Sequence, residues 1–558
     1  MLYIRLIAIL LGFMACHNPY VNAKSNYSTE HEVEYYLGID RTYITHKLKI
    51  NINDKYKGLE SLTFIEPTED ILNLKLEKNN LGAEIEEENG KIFINFRNLL
   101  VGPKTETIQF NYSSDTIFRK IGKTYVLDIP KVKESESIDS FNLKVYFPKS
   151  TGQLQSFINN LKNDDKGAYL VFNKEELMGF GETIIFGNEE YYVMKVTNIV
   201  SPDKNYIVLP TTITDRQEVY VQNISKPPYR VSIDMDKNTI LYYKVSSPEK
   251  ITTDYTVKVY GNKSKAVNNF YYTDTKAIKN WDYTEGYPKY VLSNLKGSEK
   301  YGQLQDIFSI TKETLSYSSE KSNYDYINRI GAENLNNKNF SQSVCLEYTD
   351  LLIALLRGVK IPAREINGYA LNTSNTEKPL PHSWVEYLDK NGYWVQVDPT
   401  WADTSNQNYF DTFDLYHIGF LTKGVNSESP KLAGSHKIGV LEEAVELSIL
   451  TEIPRTEQVA VKKVGLGPLL IVKNDSYNTI SFTNKLLKPK SWGFYFNEEL
   501  KTSNTLFDVK WEKLNFKDFL GDSLFYFVPL IISPLVFYII HKKLKKLSKN
   551  KNKIKSII

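Results

Sequence analysis

Three observations predict a multidomain, strand-rich chain with an α+β core. Residues 24 to about 265 show repeated period-two alternation of apolar and polar side chains, the pattern of half-buried strands. Residues 266–430 mix that pattern with a helical one, and both ends of the chain carry uncharged apolar runs. A length of 558 residues suits three or four domains of about 100–200 residues each. A hydrophobic share of 41% supplies ordinary cores and excludes a disordered chain.

Taken in order, residues 1–23 read as a secretory signal peptide. Arg5 opens it, Leu6 to Ala15 form the apolar run, and Val21-Asn22-Ala23 is a small-x-small cleavage site. Phe13-Met14-Ala15-Cys16 offers the alternative of a lipidated Cys16, with a poorly fitting Phe. The segments Tyr43–Ile52, Lys91–Phe96 and Asp254–Tyr260 alternate, with Asn, Asp, Gly and Pro turns between such runs. They predict a β-sandwich-like domain at 24–147 and a second β-rich domain at 148–265. Residues 431–515, with Leu469–Val472 and Thr479–Phe482, predict a small C-terminal β-domain and linker. Ser523 to Ile540 are 18 residues without charge, close to the shortest membrane-spanning helix and interrupted by Pro529 and Pro534. A buried C-terminal helix is the alternative. The tail 541–558 holds eight lysines, and basic flanks stay cytoplasmic, so the expectation is a single-pass membrane protein with its bulk outside.

Charge excludes one class of partner. Without Arg5 and the eight tail lysines, 60 basic residues face 66 acidic ones, so no nucleic-acid surface is implied. The tail instead suits anionic lipid. Once residues 1–23 are removed, Cys345 is the sole cysteine, which points to intermolecular pairing, a reactive thiol or a core cysteine.

Cys345, His382 and Asp398 are the candidate catalytic residues. A thiol, an imidazole and a carboxylate supply the nucleophile, its base and the group that orients the base. Tyr348, Leu351, Leu352, Leu355 and Leu356 follow helical spacing, with Ser343 as N-cap and Gly358 as stop. Cys345 then lies in the first turn, where unpaired N–H groups favour thiolate. The segment Lys390-Asn391-Gly392 marks a hairpin between His382–Leu388 and Tyr393–Asp398. A two-residue loop would put His382 and Asp398 on opposite faces. A three-residue loop with left-handed Gly392 pairs Asp389 with Tyr393 instead. Ser383, Val385, Tyr387, Tyr393, Val395 and Val397 then share one face, and Asp398 comes within reach of His382. Taken singly, His382 also reads as a half-buried strand histidine and Asp398 as a turn residue before Pro399. The spacing matches no usual zinc pattern, and no Gly-x-Ser-x-Gly elbow is suitably placed.

The run from Cys345 to Ile361-Pro362-Ala363-Arg364, followed by Asn367-Gly368-Tyr369, resembles the transglutaminase-like superfamily, whose cysteine helix precedes Gly-Ile-Pro-Ala-Arg and a Gly-Tyr strand. His382-Ser-Trp-Val-Glu-Tyr and Trp394-Val-Gln-Val-Asp398-Pro-Thr resemble its histidine and aspartate strands. Lys360 is a departure from the motif. The resemblance covers about 266–425, and the layout as a whole resembles membrane-anchored bacterial members. It implies a papain-like α+β core at 266–430 and a thioester on Cys345. The implied substrate is a protein or envelope peptide, attacked at a glutamine side chain or peptide bond. Water or an amine acceptor then completes deamidation, hydrolysis or transamidation. No cofactor is required, although calcium serves some relatives, and no side-chain oxyanion donor is assigned. Inactive members also exist, so a scaffold serving binding or adhesion is the competing expectation.

Overall fold

Alternation in the first part of the chain becomes layered sheet. Tyr27–Tyr36 and Thr42–Ile52 pair antiparallel, with burial alternating along both strands. They lie in a seven-stranded sheet running Leu161–Asp164, Gly167–Asn173, Ile138–Tyr146, Tyr27–Tyr36, Thr42–Ile52, Lys104–Ser114, Leu72–Asn79. One core joins Ile44, Ile50 and Phe110 of this sheet to Ile92 and Ile94 of one three-stranded sheet and Leu127 and Ile184 of another. The large sheet crosses 147/148, the boundary expected from sequence, because Gly167–Asn173 pairs with Ile138–Tyr146.

The structure, a computed structural model, describes residues 27–515 apart from short stretches, of which the longest are 156–160, 262–271 and 296–300. The expected signal peptide, membrane span and basic tail lie outside the described residues. Among the described residues no helix is long and apolar enough to cross a membrane. The chain divides into two compact units between 454 and 455.

A second four-stranded sheet runs Gln217–Ile224, Glu249–Tyr260, Glu189–Val200, Ala444–Ile449. Its last strand falls in the range 431–515 that the sequence assigns to the C-terminal β-domain. It pairs instead with Glu189–Val200, Tyr192 opposite Ile449. The C-terminal unit has its own sheet, Trp492–Phe496, Leu469–Lys473, Glu457–Leu466, Phe507–Lys513, whose last two strands are parallel.

Between these sheets in the chain stands the mixed core. Helices α1 (Gly286–Asn294), α2 (Leu304–Thr314) and α3 (Cys345–Gly358) precede strands β1 (Ala363–Asn372), β2 (Asn375–Leu388) and β3 (Trp394–Val397). Helix α4 (Pro399–Thr404) and strand β4 (His417–Lys423) complete it. The sheet order is β3-β2-β1-β4, antiparallel throughout. Helix α3 was expected to bury one stripe. It is buried almost all round, because its polar residues find partners. Arg357 donates to the carbonyls of Ala363, Lys276 and Gly424. Asp350 receives Trp281 Nε1 at 2.8 Å and Arg329 Nε at 2.9 Å.

The outer edge of β4 is paired by side chains. Gln217 accepts the Gly419 N–H at 2.8 Å and donates to the Gly419 carbonyl at 2.6 Å. Asn238 does the same for Thr422, at 2.9 and 2.7 Å. Together with the Thr211 N–H, which donates to the Phe420 carbonyl at 3.0 Å, the two amides satisfy backbone groups of an edge that would otherwise be exposed.

Candidate active site

Cys345 is the first residue of α3, half-buried and outside any disulfide. Val344, rather than the expected Ser343, is the N-cap, and Ser343 Oγ donates to the Phe340 carbonyl at 2.9 Å. Valine has no side-chain oxygen, so the helix start is closed from inside. Glu347 Oε2 accepts the Val344 N–H at 2.9 Å. Its Oε1 accepts the Ile330 N–H at 3.0 Å and lies 2.8 Å from Lys321 Nζ. This arrangement leaves the turn around the thiol without a competing capping oxygen. Further along α3, Thr349 Oγ1 donates to the Ser383 carbonyl at 3.1 Å, and Ser383 Oγ donates to buried Glu365 at 2.7 Å. Both bonds pin the strand beside His382 to the cysteine helix.

The hairpin takes the three-residue register. The Asp389 N–H donates to the Tyr393 carbonyl at 2.8 Å, Gly392 has φ +81°, and Val385 and Tyr387 pair with Val397 and Val395. That register brings His382 Nε2 to 2.7 Å from Asp398 Oδ2, with both side chains buried. Asp398 is the N-cap of α4, its Oδ1 accepting the N–H groups of Thr400 at 2.9 Å and Trp401 at 3.1 Å. One carboxylate oxygen serves the helix and the other serves the ring. Because Nε2 donates to Asp398, Nδ1 is left for the Cys345 thiol, the other side-chain partner of His382. Burial pushes the His382 imidazolium down, but Asp398 and, less strongly, Cys345 outweigh it and raise His382 to about 9. Burial pushes Asp398 up, yet the two histidines hold it well below the usual carboxylate range.

Residues 289–399 match the family model of the transglutaminase-like superfamily. This chain carries a transglutaminase-like domain. No curated protein matches the chain. Among solved structures, a candidate cysteine protease of Cytophaga hutchinsonii is similar at 14% identity and TM-score 0.29, over 47% of this chain and 88% of that one. The periplasmic domain of TgpA from Pseudomonas aeruginosa is similar at 12% identity and TM-score 0.24, over 38% and 88%. An M1 zinc metallopeptidase from Deinococcus radiodurans follows at 10% identity and TM-score 0.20, over 30% and 43%. Likenesses this distant say nothing about the site.

The transglutaminase-like domain holds two polar residues that sequence reading missed, both beyond the matched segment. His417, at the start of β4, lies with Nε2 3.2 Å from Asp398 Oδ2 and Nδ1 2.7 Å from Asp414 Oδ1. His417 has burial pushing it down and Asp414 foremost pulling it up, to about 9. The only sequence signal was a histidine three residues after an aspartate at the head of an otherwise apolar strand. Gly368 makes the approach of the two rings feasible. It stands on β1 between His382 on β2 and Gly419 on β4, and a Cβ there would lie 2.9 Å from the Trp384 ring and 2.0 Å from the Ile418 carbonyl oxygen. The rings of His382 and His417 are centred 5.4 Å apart, with Trp384 and Trp401 against both.

His382, Asp398 and His417 also offer ligand atoms within 4.8 Å of one another. The 2.7 Å between His382 and Asp398 is a direct hydrogen bond, shorter than the roughly 3.3 Å that two ligands keep on a tetrahedral zinc. Lys360, the departure from the family motif, sits at φ +65°, a left-handed position that favours glycine, with Nζ 3.0 Å from the Tyr283 hydroxyl.

Proposed function

We propose that the chain is a thiol enzyme acting on amide carbonyls of proteins or envelope peptides outside the cytoplasm. The observation that carries this reading is His382 held between Asp398, at 2.7 Å, and the Cys345 thiol. Cys345 is the nucleophile, His382 the base and then the acid, and Asp398 the group that orients the ring. The thiolate sulfur bonds to the carbonyl carbon, and the first-turn N–H groups of α3 face the oxyanion that forms. His382 Nδ1 gives its proton to the departing nitrogen, ammonia from a glutamine side chain or the amine of a cut peptide, as the C–N bond breaks. The thioester left on Cys345 is then attacked by water or an amine, which returns a proton to Nδ1 as the C–S bond breaks. Water yields an acid and an amine yields a new amide.

The signal peptide and C-terminal apolar run support an export-and-anchor arrangement, with the domain outside and the basic tail inside. The test is the rate of Cys345 alkylation by iodoacetamide against pH, with His382→Ala beside the wild type. A thiolate reactive at neutral pH that is lost in His382→Ala is expected. Slow alkylation with the profile of an isolated thiol near ~8.5 in both proteins would overturn the reading.

A further inference from the structure

We propose that His417 is a second imidazolium on Asp398, a positioning residue that shares the Oδ2 oxygen with His382 and sets the basicity of His382. The argument starts from counting donors. Asp398 Oδ1 is filled by the N–H groups of Thr400 and Trp401. Oδ2 receives both Nε2 atoms, His382 at 2.7 Å and His417 at 3.2 Å. A neutral His417 can supply one N–H, yet its two nitrogens face two carboxylates, Asp398 at 3.2 Å and Asp414 at 2.7 Å. Only the doubly protonated ring satisfies both.

Asp414 is itself built to keep a charge. Its Oδ2 accepts the Tyr409 hydroxyl at 2.7 Å and its Oδ1 accepts the Tyr416 N–H at 2.8 Å. Arg216 lies behind it, donating to the Asp414 carbonyl and, at 3.2 Å, to Gln396. The titratable and charged groups facing His417 are therefore Asp414, Asp398, His382, Tyr409 and Arg216, with Cys345 beyond His382. The remaining neighbours are aromatic: Trp384, Trp401 and Phe413, with ring centres between 4.5 and 5.2 Å away. They exclude water from the pair.

The consequence follows from charge. A fixed positive ring 5.4 Å from His382 shares the negative charge of Asp398 and opposes protonation of His382. The carboxylate alone would hold the His382 proton too firmly for it to be handed to a leaving amine. His417 offsets that hold, bringing the base closer to its working range. This consequence rests on the thiol-enzyme reading; the placement of the protons on His417 does not.

The experiment is a pH titration of the imidazole nitrogens in the full chain labelled with [15N]histidine. The chain has seven histidines, and the His417 signals are assigned by their loss in His417→Gln. Expected are two protonated ring nitrogens on His417 at pH 7, and a rise of about one pH unit in the His382 midpoint in His417→Gln. Asp414→Asn, which removes the charge that keeps His417 protonated, is expected to move His382 the same way. A merely structural role would leave the His382 midpoint in place. A neutral His417 at pH 7, or an unmoved His382 midpoint in variants with wild-type near-UV circular dichroism, would overturn the proposal. If both variants fail to fold, the wild-type His417 titration decides alone. A doubly protonated His417 beside a Cys345 that alkylates as an ordinary thiol would sink the enzyme reading and leave the placement of His417 intact.

Discussion

Asp398→Asn separates the charge of the site from its shape. The asparagine oxygen can still accept the N–H groups of Thr400 and Trp401, so the cap of α4 survives. Its amide nitrogen cannot accept from His382. In the native site His382 is lifted from 6.5 to about 9 against the downward push of burial. That rise corresponds to about 3 kcal/mol at ~1.36 kcal/mol per unit, supplied by Asp398 first and Cys345 second against the opposing push of burial. Without the carboxylate, His382 loses the stronger of its two upward pulls and holds its second proton less firmly. The thiolate then loses the positive ring that stabilises it. The assay is the pH midpoint of Cys345 alkylation, read by intact mass after a fixed exposure to iodoacetamide. The midpoint is the useful quantity, because a thiolate of lower pKa is also less nucleophilic and rates at one pH mix the two effects. Asp398→Asn is expected to raise the midpoint by about one unit, because the thiolate loses its positively charged neighbour. A midpoint within about 0.3 units of the wild type, in a folded variant, would show that Asp398 does not act through the ring and would refute this reasoning.

Three further outcomes follow from the same geometry. Gly368→Ala places a methyl 2.0 Å from the Ile418 oxygen and 2.9 Å from Trp384, so β1 must shift beneath His382 and His417. A loss of about 2–3 kcal/mol in denaturant unfolding, with slowed alkylation of Cys345, is expected, and a wild-type unfolding midpoint would contradict the packing described. Arg329→Met strands Asp350 and Glu365, which Arg329 bridges inside the core, and is expected to cost roughly 3–5 kcal/mol. A change below about 1 kcal/mol would show that Lys423, whose Nζ is 3.9 Å from Glu365, carries the load alone. His382 and His417 each rise from 6.5 to about 9, so their contribution to stability is complete below 6.5 and lost as pH climbs through 9. The unfolding midpoint should fall between pH 6.5 and 9.5 by an amount equivalent to about 3 kcal/mol per histidine, and a flat profile there would argue against protonated rings.

Much of this site was legible because its geometry is set over short distances in the chain. The hairpin register followed from sorting Val385, Tyr387, Val395 and Val397 onto one face, and Gly392 supplied the left-handed residue that the register demands. His382 and Asp398 met as a consequence. His417 was not legible, because it enters on β4, which joins the sheet on the far side of β1. Periodicity tells which residues share a face of one strand, never which strand lies next to it. The same limit hid the burial of α3. Asp350 and Arg357 lie off the apolar stripe, and the partners that bury them, Trp281, Arg329 and Gly424, lie 69, 21 and 67 residues away. The cap failed for a local reason: the Ser343 hydroxyl donates to the Phe340 carbonyl, and Glu347 reaches back to the Val344 N–H and starts the helix one residue later.

The strand Ala444–Ile449 has a consequence for the life history of the molecule. It covers one edge of Glu189–Val200, yet the whole transglutaminase-like domain is threaded between the two. That domain is therefore inserted in the chain between two strands of one sheet, entered after Tyr260 and left at Ala444. As the chain is synthesised the sheet stays open along that edge until residue 449 has emerged, well after the thiol, the ring and the carboxylate have all appeared. A fragment cut at the end of β4 would carry every candidate catalytic group and still present a raw sheet edge to other chains. A fragment faithful to this sheet therefore runs past 449.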